Sequence, residues 1–346
     1  MSFTVWNLEV VFGLMKRVLG WVLWGILVLG LALGFGEEPV PEILLDTDAE
    51  PVLADRISGP VPEFDFSPDT RILEIWFPNV LNADEAILIY EGHVWLIDCG
   101  DERMGGRGAE LLKRLGVTRV EKVINSHPHH DHLNGLKATD MAAKVGELLF
   151  CFSADNIHHA NSLKNFKNAL AYAGKNDIAV SSYKDGDVLE MGDGAVTMTC
   201  YANTEDRLDV NNRSGQILLR YGERTILFMA DMEKPGQEAM LERVGSEAFR
   251  ADLLKYPHHG KSAMADAFLE AVDPKAVIIT NKKVEDWKGV RYLKKKQIPY
   301  YYTAVYKTTG KTKKPLYLHL ATDGKRWVLE RVAQDDVKEI RTADEP

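Results

Sequence analysis

Ser126-His127-Pro128-His129-His130-Asp131-His132 is the stretch on which the reading of this chain turns. Four of its seven residues are histidine, and an aspartate stands just before the last. Immediately upstream, Val120-Glu-Lys-Val-Ile-Asn125 is a short apolar run of the kind that forms a buried strand. The cluster therefore falls where a strand gives way to a loop, a common place for a site on an α/β scaffold. His127 and His129, two apart, project to the same side of extended backbone, and Asp131 and His132 follow where the chain turns. Imidazole and carboxylate are donors that zinc, manganese and iron accept. A solvated histidine-rich loop is the bland alternative. Two further donor groups downstream, in a sensible order, speak against it.

The 346 residues, 45% of them hydrophobic, suffice for one large core or two modest ones. A net charge of −9 argues against a general nucleic-acid coat protein. Cys99, Cys151 and Cys200 are too few and too scattered for a disulfide framework or a thiolate zinc site, and read as small core residues.

Residues 1–36 differ from the rest. Lys16-Arg17 precede an uncharged run, Val18 to Gly36, of about 28 Å as a helix, enough to cross a bilayer. The basic pair places everything after it outside the cytoplasm. Ala32-Leu33-Gly34 suits a cleaved signal peptide, and a start at Met15 would open Met-Lys-Arg; the length of the run also suits an uncleaved anchor. Residues 37–70 read as an acidic, proline-rich linker, with prolines at 39, 41, 51, 60, 62 and 68. The folded domain spans 71–332, and 333–346 form a polar tail.

Within that domain, strands are expected at Ile72–Phe77, Ala86–Tyr90 and His93–Ile97, the last pair joined over Glu91-Gly92. Ala109–Leu115 reads as a helix stopped by Gly116. Residues 138–182 read as strand, helix and strand, with His158-His159 as a solvated helix end. Thr225–Met229 is a strand that delivers Asp231. Pro235 opens a helix to about Val244. Asp252–Tyr256 is a strand that delivers His258-His259-Gly260, and residues 298–332 are β-rich. Three strand ends thus present His127, His129, Asp131 and His132, then Asp231, then His258 and His259. Donors gathered from separate strand ends suit a binuclear metal site with one bridging carboxylate and positions left for water.

Those segments resemble the metallo-β-lactamase superfamily, and within it the metallo-hydrolase domain of the competence protein ComEC. The match rests on Asp84-Glu-Ala-Ile-Leu-Ile89, Leu96-Ile-Asp-Cys-Gly100, Ser126 to Gly135, Asn211-Asn-Arg-Ser214, Leu227-Phe-Met-Ala-Asp231 and Leu254 to Ser262. The resemblance implies an αββα four-layer sandwich with the site at the edge between two sheets. It implies one metal on His127, His129 and Asp231, and another on Asp131, His132, Asp231 and one of His258 and His259. The other member of the pair is expected to act as an acid or to orient substrate. Two divalent transition metals are implied, zinc with manganese as the alternative. Asp131 would also accept a hydrogen bond from the attacking water. The chain departs from the pattern in three places. No histidine stands near Cys200-Tyr201-Ala202-Asn203, which leaves the first metal three protein ligands and argues against a β-lactamase. Leu81-Asn82-Ala83 replaces glycine and glutamine, and Lys261 stands where ComEC-like chains have serine.

Between Lys275 and Pro315, twelve Lys/Arg face two acids, and Trp287, Tyr292, Tyr300, Tyr301, Tyr302 and Tyr306 are interleaved. Lys282, Lys283, Lys294, Lys295 and Lys296 are candidates for neutralising the phosphates of a nucleic acid whose bases stack on the aromatic rings; a solvated lysine-rich face is the alternative. The leading expectation is an exported metal-dependent hydrolase of phosphodiesters. The competitors are a hydrolase of a non-nucleic envelope or extracellular ester, and a non-catalytic, membrane-tethered module that binds nucleic acid or a partner.

Overall fold

The computed structural model describes Leu44–Leu45 and residues 70–104, 106–309 and 311–339. The apolar run Val18–Gly36 and nearly all of the linker lie outside the described residues. Among the described residues, no helix is long and apolar enough to cross a membrane.

The first sheet begins with β1 (Leu44–Leu45), β2 (Leu73–Phe77), β3 (Ala86–Tyr90), β4 (His93–Ile97), β5 (Arg119–Asn125), β6 (Lys144–Phe150) and β7 (Ala179–Ser182). The second runs through β8 (Val188–Met191), β9 (Val196–Tyr201), β10 (Gln216–Tyr221), β11 (Arg224–Phe228), β12 (Leu253–Lys255), β13 (Ala276–Ile279) and β14 (Tyr300–Tyr302). The chain then returns to the first sheet with β15 (Val305–Thr309), β16 (Thr312–Thr322) and β17 (Trp327–Ala333). Strand order is β1-β17-β16-β2-β3-β4-β5-β6-β7, with β15 beside β16, and β14-β13-β12-β11-β10-β9-β8. Leu44–Leu45, within the stretch read as linker, pair antiparallel with Trp327–Val328 of β17.

Helices α1 (Arg107–Arg114), α2 (His130–Leu133), α3 (Leu136–Ala142) and α4 (Ala160–Lys175) join strands of the first sheet or lead on from them. α5 (Lys234–Val244), α6 (Asp266–Val272) and α7 (Lys288–Lys296) connect strands of the second. The sequence reading missed α3, whose seven residues are too few to show helical periodicity.

Strand periodicity builds the layers. On β2, Leu73, Ile75 and Phe77 enter the core between the sheets, while Trp76 faces outward with Ile87 and Ile89 of β3 and Leu96 of β4. On β11, Ile226 and Phe228 point inward and Leu227 outward. The outer face of the first sheet is covered by Leu111 and Leu112 of α1, Leu136 of α3 and Phe166 of α4. Met240 of α5, Phe268 and Leu269 of α6 and Leu293 of α7 cover the second. Where a strand is buried on both faces, as β3 and β13 are, it reads as a near-continuous apolar run. Each fully buried Leu, Ile or Phe contributes on the order of 1.5–3 kcal/mol. The result is the αββα four-layer sandwich that the family resemblance implies.

β4, β5 and β6 run parallel, as do β11, β12 and β13. Their carboxyl ends therefore collect the loops that carry the histidines and aspartates, as is usual for sites on α/β sheets.

Candidate metal centre

Asp98, at the end of β4, fastens the histidine loop. Its Oδ1 accepts from the Ser126 backbone N–H (2.8 Å) and Asn125 Nδ2 (2.9 Å). Its Oδ2 accepts from Ser126 Oγ (2.7 Å) and lies 2.7 Å from His132 Nδ1. Gly135 lets the following turn lie against β4: a Cβ there would stand 1.7 Å from the Cys99 carbonyl oxygen.

Asp231 reaches the same place from β11. Ala230 before it is left-handed (φ 45°). Asn212, in the polar loop after β9, accepts from the backbone N–H groups of Glu233 (3.1 Å) and Gly236 (2.9 Å), fixing the start of α5 just beyond. From β12 come His258 and His259, both left-handed (φ 49° and 54°). Two successive non-glycine residues in that region cost roughly 1–3 kcal/mol each, and such strain persists where surrounding structure enforces it. Here the His258 N–H donates to the Ala230 carbonyl (2.9 Å), tying this turn to the Asp231 loop.

The donors form two groups that share Asp231. Asp131, His132, Asp231 and His259 are one; His127, His129 and Asp231 are the other; within each, the ligand atoms lie within 4.8 Å of one another. Asp231 Oδ1 lies 3.3 Å from His132 Nε2 and 3.5 Å from His259 Nε2, which is itself 3.4 Å from Asp131 Oδ2. Asp231 Oδ2 lies 3.8 Å from His127 Nε2, and His127 Nε2 stands 3.0 Å from His129 Nδ1. The carboxylate thus offers one oxygen to each group. Of the tandem pair, His259 is the member in the first group; His258 stands on the other side, 3.6 Å from Asp231 Oδ2.

The groups fit two divalent cations. Asp231 Oδ1, His132 Nε2 and His259 Nε2 are buried with no hydrogen-bond partner, a costly arrangement unless something else satisfies them. The far ring nitrogens are anchored as metal-ligating histidines require: His132 Nδ1 by Asp98, His127 Nδ1 by Ser126 Oγ (3.1 Å), and His259 Nδ1 by Thr280 Oγ1 and Asp84 Oδ1 (both 3.2 Å). Each leaves Nε2 for the cation.

Electrostatics divide the histidines. Burial would raise the Asp231 carboxyl, but the rings of His259 and His132 hold it well below the usual range. Burial likewise opposes ionisation of Asp131, and the close approach of the His259 ring with the charge of His132 outweighs it. Against the cost of burial, Asp231, Asp98 and Asp84 raise His132 well above its ordinary value, and Asp231 and Asp84 lift His259 to about 9. Burial and then the neighbouring His132 push His127 down strongly and His129 to about 4. The Asp131 side is therefore rich in negative charge that a cation would neutralise with release of protons. The His127 side presents neutral nitrogen donors.

A third group, Asp84, Asp98 and His132, also lies within 4.8 Å. It already holds a cation: the buried Lys255 ammonium donates to Asp84 and to the Ala230 carbonyl (3.0 Å). Asp84 also accepts from Thr280 Oγ1. This layer supports the donors from behind. Asp84 and Asp98 lie inside segments that carry the family resemblance, but nothing in the sequence linked them to Lys255 and Thr280.

At the rim, His159 caps α4 and is exposed, as a solvated helix end should be, yet its ring stands edge-on to His129 at 6.2 Å. Lys261 Nζ lies 3.0 Å from His258 Nε2. Of the basic segment, Lys294 is paired with Glu285, and Lys296 with Asp266 (2.6 Å).

Residues 85–148 match the family model of the Metallo-beta-lactamase superfamily. Among solved structures, the fold protein YhfI from Bacillus subtilis is 14% identical, with 72% of this chain and 100% of that chain covered and a TM-score of 0.43. A mutant of CmlA beta-hydroxylase is 18% identical (69% and 53% covered, TM-score 0.43); the chain spans about half the length of that protein. A motif mutant of the metallo-beta-lactamase from Cronobacter sakazakii is 17% identical (52% and 75% covered, TM-score 0.37). No curated protein matches the chain.

Proposed function

For a chain that carries a metallo-beta-lactamase superfamily domain, the fold of metal-dependent hydrolases, with donors for two divalent cations, we propose hydrolysis of phosphodiesters outside the cytoplasm. Zinc is the first choice of cation and manganese the second, because the donors are imidazole and carboxylate in both groups. The Lys16-Arg17 pair ahead of its apolar run supports export.

The observation that carries the substrate class is Lys261. It places an ammonium on the turn of His258 and His259, against the ring of His258 that itself meets the shared aspartate. A neutral ester or lactone gives that charge nothing to pair with, whereas a phosphodiester carries a non-bridging anionic oxygen on the reacting phosphorus itself.

Bound divalent cations supply Lewis acidity, lowering the pKa of water toward neutrality and polarising the phosphoryl oxygens. The protein's own residues do the rest. Asp131, kept ionised, has one oxygen facing His259 Nε2, so its other oxygen is available to orient the attacking water and accept its hydrogen bond. Asp231 holds the two donor groups in register. Lys261 pairs with the substrate's anionic oxygen and sets its orientation.

The test is a substrate panel on the metal-loaded protein: bis(p-nitrophenyl) phosphate, p-nitrophenyl acetate, an acyl lactone and a chromogenic cephalosporin. Turnover of the phosphodiester is expected, and Lys261→Met should lower its kcat/KM by about 10–100-fold, the worth of a charge-assisted hydrogen bond. Cleavage of only the acetate ester, the lactone or the cephalosporin, or a phosphodiester rate indifferent to Lys261, would overturn the assignment.

A further inference from the structure

The His127 side of Asp231 has three protein donors whose ligand atoms lie within 4.8 Å of one another: His127 Nε2, His129 Nδ1 and Asp231 Oδ2. His258 stands on the same oxygen of Asp231, its Nε2 3.6 Å from Oδ2, slightly closer than His127 Nε2 at 3.8 Å. Its other nitrogen, Nδ1, is 2.7 Å from Glu233 Oε1, and Ser262 Oγ donates to the same oxygen (2.7 Å). A carboxylate on Nδ1 fixes the tautomer, so that the lone pair is on Nε2, aimed at Asp231. This is the arrangement in which Asp98 holds His132 toward the opposite oxygen.

The backbone gives an independent reason to assign His258 a task. At φ 49° it occupies a conformation that glycine would adopt without strain, one residue before His259 at 54°. With both residues left-handed, the rings diverge to opposite sides of the aspartate, their centroids 6.1 Å apart. His259 is buried among the Oδ1 donors, and His258 is half-buried on the Oδ2 side.

We propose that His258 is the fourth protein ligand of the cation held by His127, His129 and Asp231, and that Lys261 competes with that cation for His258 Nε2. The lysine ammonium, 3.0 Å from Nε2, occupies the lone pair that a metal ion would need. A cation entering this half of the site displaces Lys261, which is then free to meet an anionic substrate. Glu233 acts as the positioning residue for His258. The inference rests on the two-cation reading of the proposed function and deepens it by assigning one residue to one ion.

Cobalt substitution of the full-length protein tests it without reference to activity. Each cobalt-bound histidine shows one shifted, solvent-exchangeable ring N–H proton signal. With two equivalents of cobalt, His127, His129, His132, His258 and His259 should each contribute one. His258→Ala should lose a single signal and weaken one of the two cobalt affinities by at least about 10–100-fold, leaving the other unchanged. Lys261→Met should tighten that same affinity by about tenfold. Two bound cobalt ions with signals from only four histidines in the unmodified protein would overturn the role of His258 and leave the two-cation reading standing. Absence of cobalt binding would overturn both. The count in the unmodified protein does not depend on any variant folding.

Discussion

The two oxygens of Asp231 face two differently built half-sites. On the Oδ1 side, His132 and His259 are fully buried, and their far nitrogens rest on Asp98, Asp84 and Thr280, themselves buried. Lys255 neutralises Asp84 from behind. On the Oδ2 side, only His127 is fully buried; His129 and His258 reach the rim, where His159, Lys261 and Glu233 are their neighbours. One half is part of the core between the sheets and the other belongs to the mouth of the site. A buried, charge-rich half holds its geometry whether or not a cation is present. A half-exposed set of neutral donors depends on loop positions and is the half that substrate meets. Loss of one cation ahead of the other, from the His127 side, follows from that difference.

The sharpest way to break the comparison is to remove what the halves share. Asp231→Ala should abolish binding of both cations, read as metal content per chain falling from two to near zero, whereas His127→Ala should cost only one. Retention of one tightly held ion by Asp231→Ala would mean that the aspartate serves a single half.

The next largest effect tests whether the Oδ1 half is truly part of the core. Lys255→Met strands the buried Asp84 carboxylate and should destabilise the fold by about 3–5 kcal/mol in urea unfolding. A variant within about 1 kcal/mol of the parent would show that Asp84 finds another partner.

Glu85, beside Asp84, offers a test of opposite sign. Burial raises its carboxyl to about 8 from an ordinary 4.5, and its Oε1 has no hydrogen-bond partner. The folded state therefore keeps a proton that the unfolded chain has released, so this group makes stability fall as pH rises from about 4.5 to 8. Glu85→Gln removes that slope. It should match the parent below about pH 4.5 and exceed it at about pH 8 by up to about 4 kcal/mol, measured as unfolding free energy against pH. A constant difference across the range would mean that Glu85 ionises freely in the folded protein.

The smallest effect belongs to the surface beyond the mouth. Lys294 and Lys296 are engaged with Glu285 and Asp266, pairs worth little in stability but enough to occupy both ammonium groups. Lys282, Lys295 and Lys283, which lies at the longer distance of 4.0 Å from Glu285, are therefore the better probes of nucleic-acid binding. Neutralising all three should flatten the log–log salt dependence of single-stranded DNA binding by roughly 0.7 for each phosphate that a lysine no longer pairs with. Metal content should not change. An unaltered slope would leave these lysines as a solvated face.

Much of this was legible before any fold was known. Alternating and continuous apolar runs placed β2 to β5, β11 and β12 within a residue or two, because a strand buried on both faces has little freedom in composition. Asp131, His132, His127 and His129 were legible because a metal site needs several donors close together and one loop supplies four of them. Asp231 and His258-His259 were found through their position at strand ends.

What sequence alone determined, then, was the donor inventory and the strands that deliver it, since these follow from local residue chemistry and short-range periodicity; the layered fold was implied by the family resemblance. Tertiary structure decided the pairings across distance. Asp84 meets Lys255 across 171 residues and Thr280 across 196, and no local pattern encodes such a meeting. It also decided between His258 and His259, which are adjacent and chemically identical in the sequence. Two successive left-handed residues turn one ring toward Oδ1 of Asp231 and the other toward Oδ2. That assignment is a matter of backbone dihedrals enforced by surrounding contacts, and dihedrals of this kind are set by packing, not by the residues that adopt them.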